Sequence, residues 1–201
     1  MEKKTPYNPT NQTELPISHY TELLKKQFPA EIAERTGVRV EENRFYITVL
    51  GEDRILTWPE FEDEGWSAYD RILFMRYLHE GKRAPRFSRY VTYKEMPWGE
   101  VYDKNFTARC LNRMARMYGT DEEKFCRACE ALGGSKVPSS GTAYELCFLP
   151  GLYLRLILWE GDDEFPASTQ ILFSDNFAEV FSAEDRVVVC ECTLSRMKKL
   201  N

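Results

Sequence analysis

The sequence predicts an α+β fold, a mainly antiparallel sheet with packed helices in a single domain. Three observations carry the prediction. Short strand-like runs cluster in two places, at 38–58 and 152–173. Stretches of helical periodicity lie between and after them, the arrangement of segregated strands and helices. In the run 152–159, Leu152, Leu154, Leu156 and Leu158 alternate with Tyr153, Arg155, Ile157 and Trp159, which reads as a strand apolar on both faces and therefore central.

The elements follow in order. Residues 1–17 are polar and punctuated by proline and read as a flexible arm, leaving 18–201 as the domain, with a possible subdivision near 135. From Ser18, Tyr20, Leu23, Leu24 and Phe28 recur at helical spacing, Pro29 opens a second helical stretch, and Gly37 stops it. VRV, RFYITVL and RILTW are three short strands joined by turns at EEN and GED. Ser67 and Asp70 carry a capping signature for a helix whose buried face is Tyr69, Ile72, Leu73 and Tyr77. The stretch 81–100 is a loop with a short strand. Phe106, Cys110, Met114 and Met117 mark a third helix, and Thr120 caps a fourth with Phe125, Cys129 and Leu132 inward. TQILF is a strand, and Ser182 caps a last helix whose inward set is Val187, Cys190, Leu194 and Met197.

With 201 residues, 43% of them hydrophobic, one domain can bury enough surface to stand without disulfides. No apolar run reaches the ~20 residues of a membrane helix, and the start has no apolar core of a signal peptide. A cytoplasmic protein is expected, off the membrane. The six cysteines then read as free thiols or metal ligands. A net charge of -5 argues against DNA, and nucleic acid generally, as partner. The charge is uneven, however: from Arg71 to Arg116 eleven Lys and Arg face four acids.

The stretch LWEGDDEFP, followed shortly by ILF, and the helix RILFMRYLHEG carry a resemblance. They resemble a bacterial and archaeal family, domain of unknown function 3786, whose members show a W-x-x-D-x-E-F-P run and then leucine, phenylalanine and aspartate. The likeness covers most of the chain. Ser174 departs from it, with the acid one place later at Asp175. The resemblance implies a role in anaerobic metabolism, because longer relatives carry an iron–sulfur domain. It supplies neither an activity nor catalytic residues.

Three places could carry chemistry. Glu160, Asp162, Asp163 and Glu164 offer hard oxygen ligands for Mg²⁺ or Ca²⁺. Against that, adjacent residues on an extended turn cannot all face one ion, so a solvated hairpin turn at Gly161 is the plainer expectation. Arg155 needs a carboxylate on its strand face, and Glu164 is the expected partner in a structural ion pair. The second place is KRAPRFSRYVTYK, where Arg83, Arg86, Arg89 and Tyr90, with Trp159 beside the acids, could bind an anion or stack on a cofactor such as a corrinoid. The third is the thiols: Cys110, Cys126 and Cys129 with one distant cysteine could hold an iron–sulfur cluster, whereas Cys190 and Cys192 diverge by ~200° on a helix. Buried thiols acting as small hydrophobes are the plainer reading.

No G-x-S-x-G, P-loop or G-x-G-x-x-G is present, so nothing supports serine acyl transfer, P-loop phosphoryl transfer or dinucleotide chemistry. The expectation is a non-catalytic binding or accessory protein that holds an anionic or cofactor-like ligand between the basic loop and the acidic turn. Its partner would be a small-molecule anion or a protein. The alternatives are a metal-dependent enzyme using the carboxylates of EGDDEFP and an iron–sulfur accessory protein.

Overall fold

The structure, a computed structural model, describes residues 9–63 and 65–200. Residues 1–8 of the expected arm lie outside the described residues; the rest of that arm is helical, because α1 runs from Pro9 to Leu24. The chain divides into two compact units. One holds the residues up to Tyr46 together with Ile55–Gly81, the other Ile47–Arg54 together with Lys82 onward. The chain thus crosses between the units at 46/47, 54/55 and 81/82.

In the first unit α1 lies along α3 (Ala68–Glu80), and α2 (Pro29–Thr36) also packs on α3. Pro29 stands at the first turn of α2, where its missing N–H costs nothing. Gly37 takes φ 78° and donates its N–H to the Ala33 carbonyl, closing the helix in the left-handed conformation that glycine adopts without penalty. At the start of α3 the Ser67 hydroxyl accepts the Asp70 N–H at 3.1 Å, the expected cap. Leu73 and Tyr77 face inward as expected, but Tyr69 is exposed. The first sheet has the order β1 (Arg39–Glu41), β2 (Arg44–Val49), β3 (Glu52–Thr57). Glu42 and Asn43 between β1 and β2 both have positive φ, the backbone of a tight two-residue hairpin.

The second unit is built on a five-stranded antiparallel sheet of order β4 (Tyr90–Thr92), β8 (Ser168–Ser174), β7 (Leu152–Trp159), β6 (Thr142–Leu149), β5 (Ser135–Val137). With mainly antiparallel sheets and segregated helices, the class is the α+β expected. β7 is central. Its four leucines are buried, but Tyr153, Arg155 and Trp159 are only half-buried, so just one face is core. The helices are α4 (Gly99–Phe106), α5 (Asn112–Tyr118), α6 (Glu122–Ala131), the short α7 (Phe177–Val180) and α8 (Ala183–Lys199). α5 packs on β8, α6 on β6, and α8 against α4 and α6.

A π-helical turn, Thr107–Leu111, joins α4 to α5. The buried residues here are Phe106, Cys110, Met114 and Tyr118. A spacing of four throughout drifts off one face of a 3.6-residue helix, and the wider turn returns it. That is why Tyr118, and not the expected Met117, points inward. Within the turn Arg109 grips Glu191 with Nε (3.0 Å) and Nη2 (2.7 Å) and Glu184 with Nη1 (2.7 Å), joining the turn to α8. The N-cap of α6 is Asp121, one place after the expected Thr120, and its carboxylate accepts the Lys124 N–H at 2.8 Å. Val187, Cys190, Leu194 and Met197 are the buried stripe expected of α8.

Candidate functional site

The basic–aromatic segment before β4 is fastened by the two residues that follow β8, Asp175 and Asn176, while Ser174 before them holds β7. Ser174 Oγ accepts the Tyr153 N–H at 3.0 Å. The Asp175 carboxylate accepts the Ser88 N–H at 3.0 Å and the Ser88 hydroxyl at 2.5 Å, while its own N–H donates to the Arg89 carbonyl at 3.0 Å. The Ser88 hydroxyl, then the Ser88 N–H, hold the Asp175 carboxyl below its ordinary range. Asn176, almost fully buried, donates Nδ2 to two carbonyls, Pro85 at 2.6 Å and Gly151 at 2.8 Å. Gly151 belongs to the two-residue Pro150–Gly151 turn between β6 and β7, with φ 86°.

Between these anchors lies a shallow concavity of about 300 Å³ lined by Ala84, Pro85, Arg86, Phe87, Gly151 and Tyr153. The Phe87 ring stands 5.4 Å from Tyr153 and 5.4 Å from Tyr90, so the three rings form one aromatic wall. Behind it, Arg155 stacks on Tyr90 at 3.8 Å and donates Nε to Glu145 at 2.9 Å, and the Tyr90 hydroxyl donates to the same carboxylate oxygen at 2.6 Å. Burial, then that carboxylate, pushes the Tyr90 phenol up, so it stays neutral. The partner of Arg155 is thus Glu145 and not the expected Glu164. The physical reason is register: Glu145 stands directly opposite Arg155 across β6 and β7.

The charges of the segment are unevenly met. Lys82 pairs with Glu179 at 2.8 Å, and Arg89 reaches Glu95 only at 4.0 Å. Arg83 and Arg86 are exposed, and among the described residues neither has a carboxylate partner.

The acidic stretch is a turn with an internal organiser. Asp162 accepts the N–H groups of Glu164 (2.9 Å) and Phe165 (2.7 Å) on one carboxylate oxygen, and donates its own N–H to the Phe165 carbonyl at 2.9 Å. Glu160 accepts the Glu122 N–H at 3.3 Å in the first turn of α6, and Gly161 donates to the Gly119 carbonyl at 3.0 Å. Asp163 and Glu164 are exposed, and Phe165, at 68% exposed, desolvates neither. No group of three or more His, Cys, Asp or Glu placed to hold a metal ion occurs among the described residues. The expected Mg²⁺ or Ca²⁺ set Glu160, Asp162, Asp163 and Glu164 is therefore not assembled, because each acid is spent on the turn or faces water. The same holds for Cys110, Cys126 and Cys129 as a cluster set.

Nor does the turn meet the basic segment. Tyr153 and Trp159 begin and end the exposed row of β7, six residues apart, which along a strand is roughly 20 Å. Trp159 instead donates Nε1 to Ser140 Oγ at 3.3 Å. The arrangement brings together Arg86, Phe87, Tyr90 and Tyr153, with Arg83 and Arg89 flanking, and leaves Trp159 and the acids elsewhere.

Asp162 gives an acid-limb prediction. Its pKa is depressed by the Phe165 N–H and then the Glu164 N–H. A depressed carboxyl contributes stability that is complete above the ordinary Asp value of about 3.9 and is lost as pH falls through the lower folded value. Asp162→Asn should flatten that part of a stability-versus-pH curve as pH falls below about 4. An unchanged acid limb would mean that Asp162 does not organise the turn.

The thiols separate by exposure. Cys110, Cys129, Cys190 and Cys192 are buried, Cys126 is half-buried and Cys147 exposed. Burial pushes the Cys129 and Cys190 thiols up, and only thiolate reacts. Burial raises the Cys147 thiol as well, but it stays exposed, so a thiol reagent on the native protein should modify Cys126 and Cys147 before Cys129 and Cys190; peptide mapping that found the two buried thiols modified as fast would contradict the packing of α6 and α8.

These features define an α+β protein with a cationic, aromatic surface segment moored to the edge of an antiparallel sheet. The model of the family described as Domain of unknown function (DUF3786) matches residues 29–196, and the chain belongs to that family. No curated protein and no solved structure matches it. No described helix is long and apolar enough to cross a membrane.

Proposed function

We propose that the protein is a binding protein for a small anionic ligand with an aromatic or cofactor-like part, held at the basic–aromatic segment. The observation that carries this reading is the Arg86 guanidinium, with no carboxylate partner among the described residues, in the lining of a concavity walled by Phe87 and Tyr153, with the similarly unpaired Arg83 adjoining the lining residue Ala84. Guanidinium forks match carboxylate and phosphate geometry, and ring faces accept a flat ligand by stacking. A volume of about 300 Å³ is at the small end of ligand sites, which favours a small molecule over a protein surface. We place the protein in the cytoplasm and in anaerobic metabolism, as the thiols and the family resemblance lead one to expect.

Isothermal titration with phenyl phosphate tests the reading. The native chain should bind it saturably, and the double variant Arg83→Gln, Arg86→Gln should bind at least about tenfold more weakly, since hydrogen bonds to charged groups are worth ~1.5 to 3 kcal/mol. Equal affinity in native and variant chains would overturn it.

A further inference from the structure

Asn176 is used by nothing so far except geometry, and its geometry is unusual. Its side chain is almost fully buried, its two amide protons are spent on carbonyls of residues 66 positions apart in the chain, Pro85 and Gly151, and its Oδ1 is buried without a hydrogen-bond partner. An amide flip would set Oδ1 against both carbonyls, so the assignment of nitrogen and oxygen follows from the partners. Both of those residues line the concavity. One amide therefore sets the spacing between its two walls, the segment that carries Arg86 and Phe87 and the turn that leads into Tyr153.

We infer that Asn176 is the positioning residue of the site, and that by fixing this spacing it selects flat aromatic anions over anions without a ring. The inference rests on the ligand reading above. The two arginines extend into solvent and can meet an anion in many arrangements, whereas ring stacking needs the Phe87 and Tyr153 faces at a set separation. Loosening the walls should therefore cost the ring's contribution and spare most of the charge's. Asp175 acts on the same segment one residue away, but it holds Ser88 and Arg89, which do not line the concavity.

Asn176→Asp tests this, because it keeps the shape, removes both donated bonds and sets a carboxylate against two carbonyls. Asn176→Ser is the milder second variant, which keeps the test open if the first does not fold. Thermal unfolding establishes that each is folded at the temperature of the titrations. The full chain is titrated with phenyl phosphate and with inorganic phosphate. In a folded variant the phenyl phosphate affinity should fall roughly three- to tenfold, the range of one aromatic contact, while inorganic phosphate changes by less than about twofold. A change in this ratio is not what simple destabilisation produces. An unchanged affinity for both probes, or an equal loss for both, would overturn the role of Asn176 while leaving the anion site standing. Native protein that binds neither probe would overturn the site and this inference together.

Discussion

Phe173→Ala is expected to cost about 3 to 5 kcal/mol of stability, the range for truncating a fully buried aromatic. Phe173 lies on β8, beside Leu154 of β7 and Val91 of β4, and is 0% exposed. Its ring meets Phe177 at 5.2 Å, Phe106 at 5.9 Å and Tyr93 at 6.1 Å, so the sheet, α4, α7 and the turn after β4 all close on it. Tyr93 and Phe106 are stacked on each other at 4.3 Å and cannot both follow a vanished ring, which leaves a cavity instead of a collapse. Denaturant unfolding measures the loss. A cost below about 1 kcal/mol would mean that this cluster is not the centre of the second unit.

Leu156→Ala should cost about 2 to 5 kcal/mol by the same measurement. Leu156 is 1% exposed on the central strand, with Tyr144 of β6 and Ile171 of β8 opposite it in register. It has a paired neighbour strand on each side, and those neighbours carry α6 and α5, so no edge is available to relax into. A loss under about half a kilocalorie would place this strand at an edge.

Capping and periodicity made most helices legible. Ser67 and Ser182 sit three residues before Asp70 and Asp185, and each does accept the predicted N–H. The five-stranded sheet was half legible. β7 and β8 follow from their apolar runs, but β5 and β6 were missed. Along β6, Ala143 and Tyr144 are both buried, as are Phe148 and Leu149, and a register shift lies between Cys147 and Leu149. Period-two alternation is therefore broken at both ends. The signal that could have found the hairpin is Pro150–Gly151 between two apolar runs, a turn pair in its own right. At the site, the arginines and aromatics were readable as composition, and their surroundings were not. Ser88 and Asp175 are 87 positions apart and Pro85 and Asn176 are 91 apart, and no local pattern announces such a tie. The acidic stretch misled for the opposite reason. Four local carboxylates look like a ligand set, yet a turn needs only one of them, Asp162, bonded to its own neighbours.

The most direct measurement of the central claim is an NMR titration of the full chain with phenyl phosphate, following the Phe87 and Tyr153 ring protons and the Arg83 and Arg86 Nε–H groups. The anion site predicts that these four residues shift together along one saturable curve, with Arg127 on α6 and Arg44 on β2, neither of which lines the concavity, unmoved. Shifts spread evenly over the exposed arginines, with the two rings silent, would contradict it.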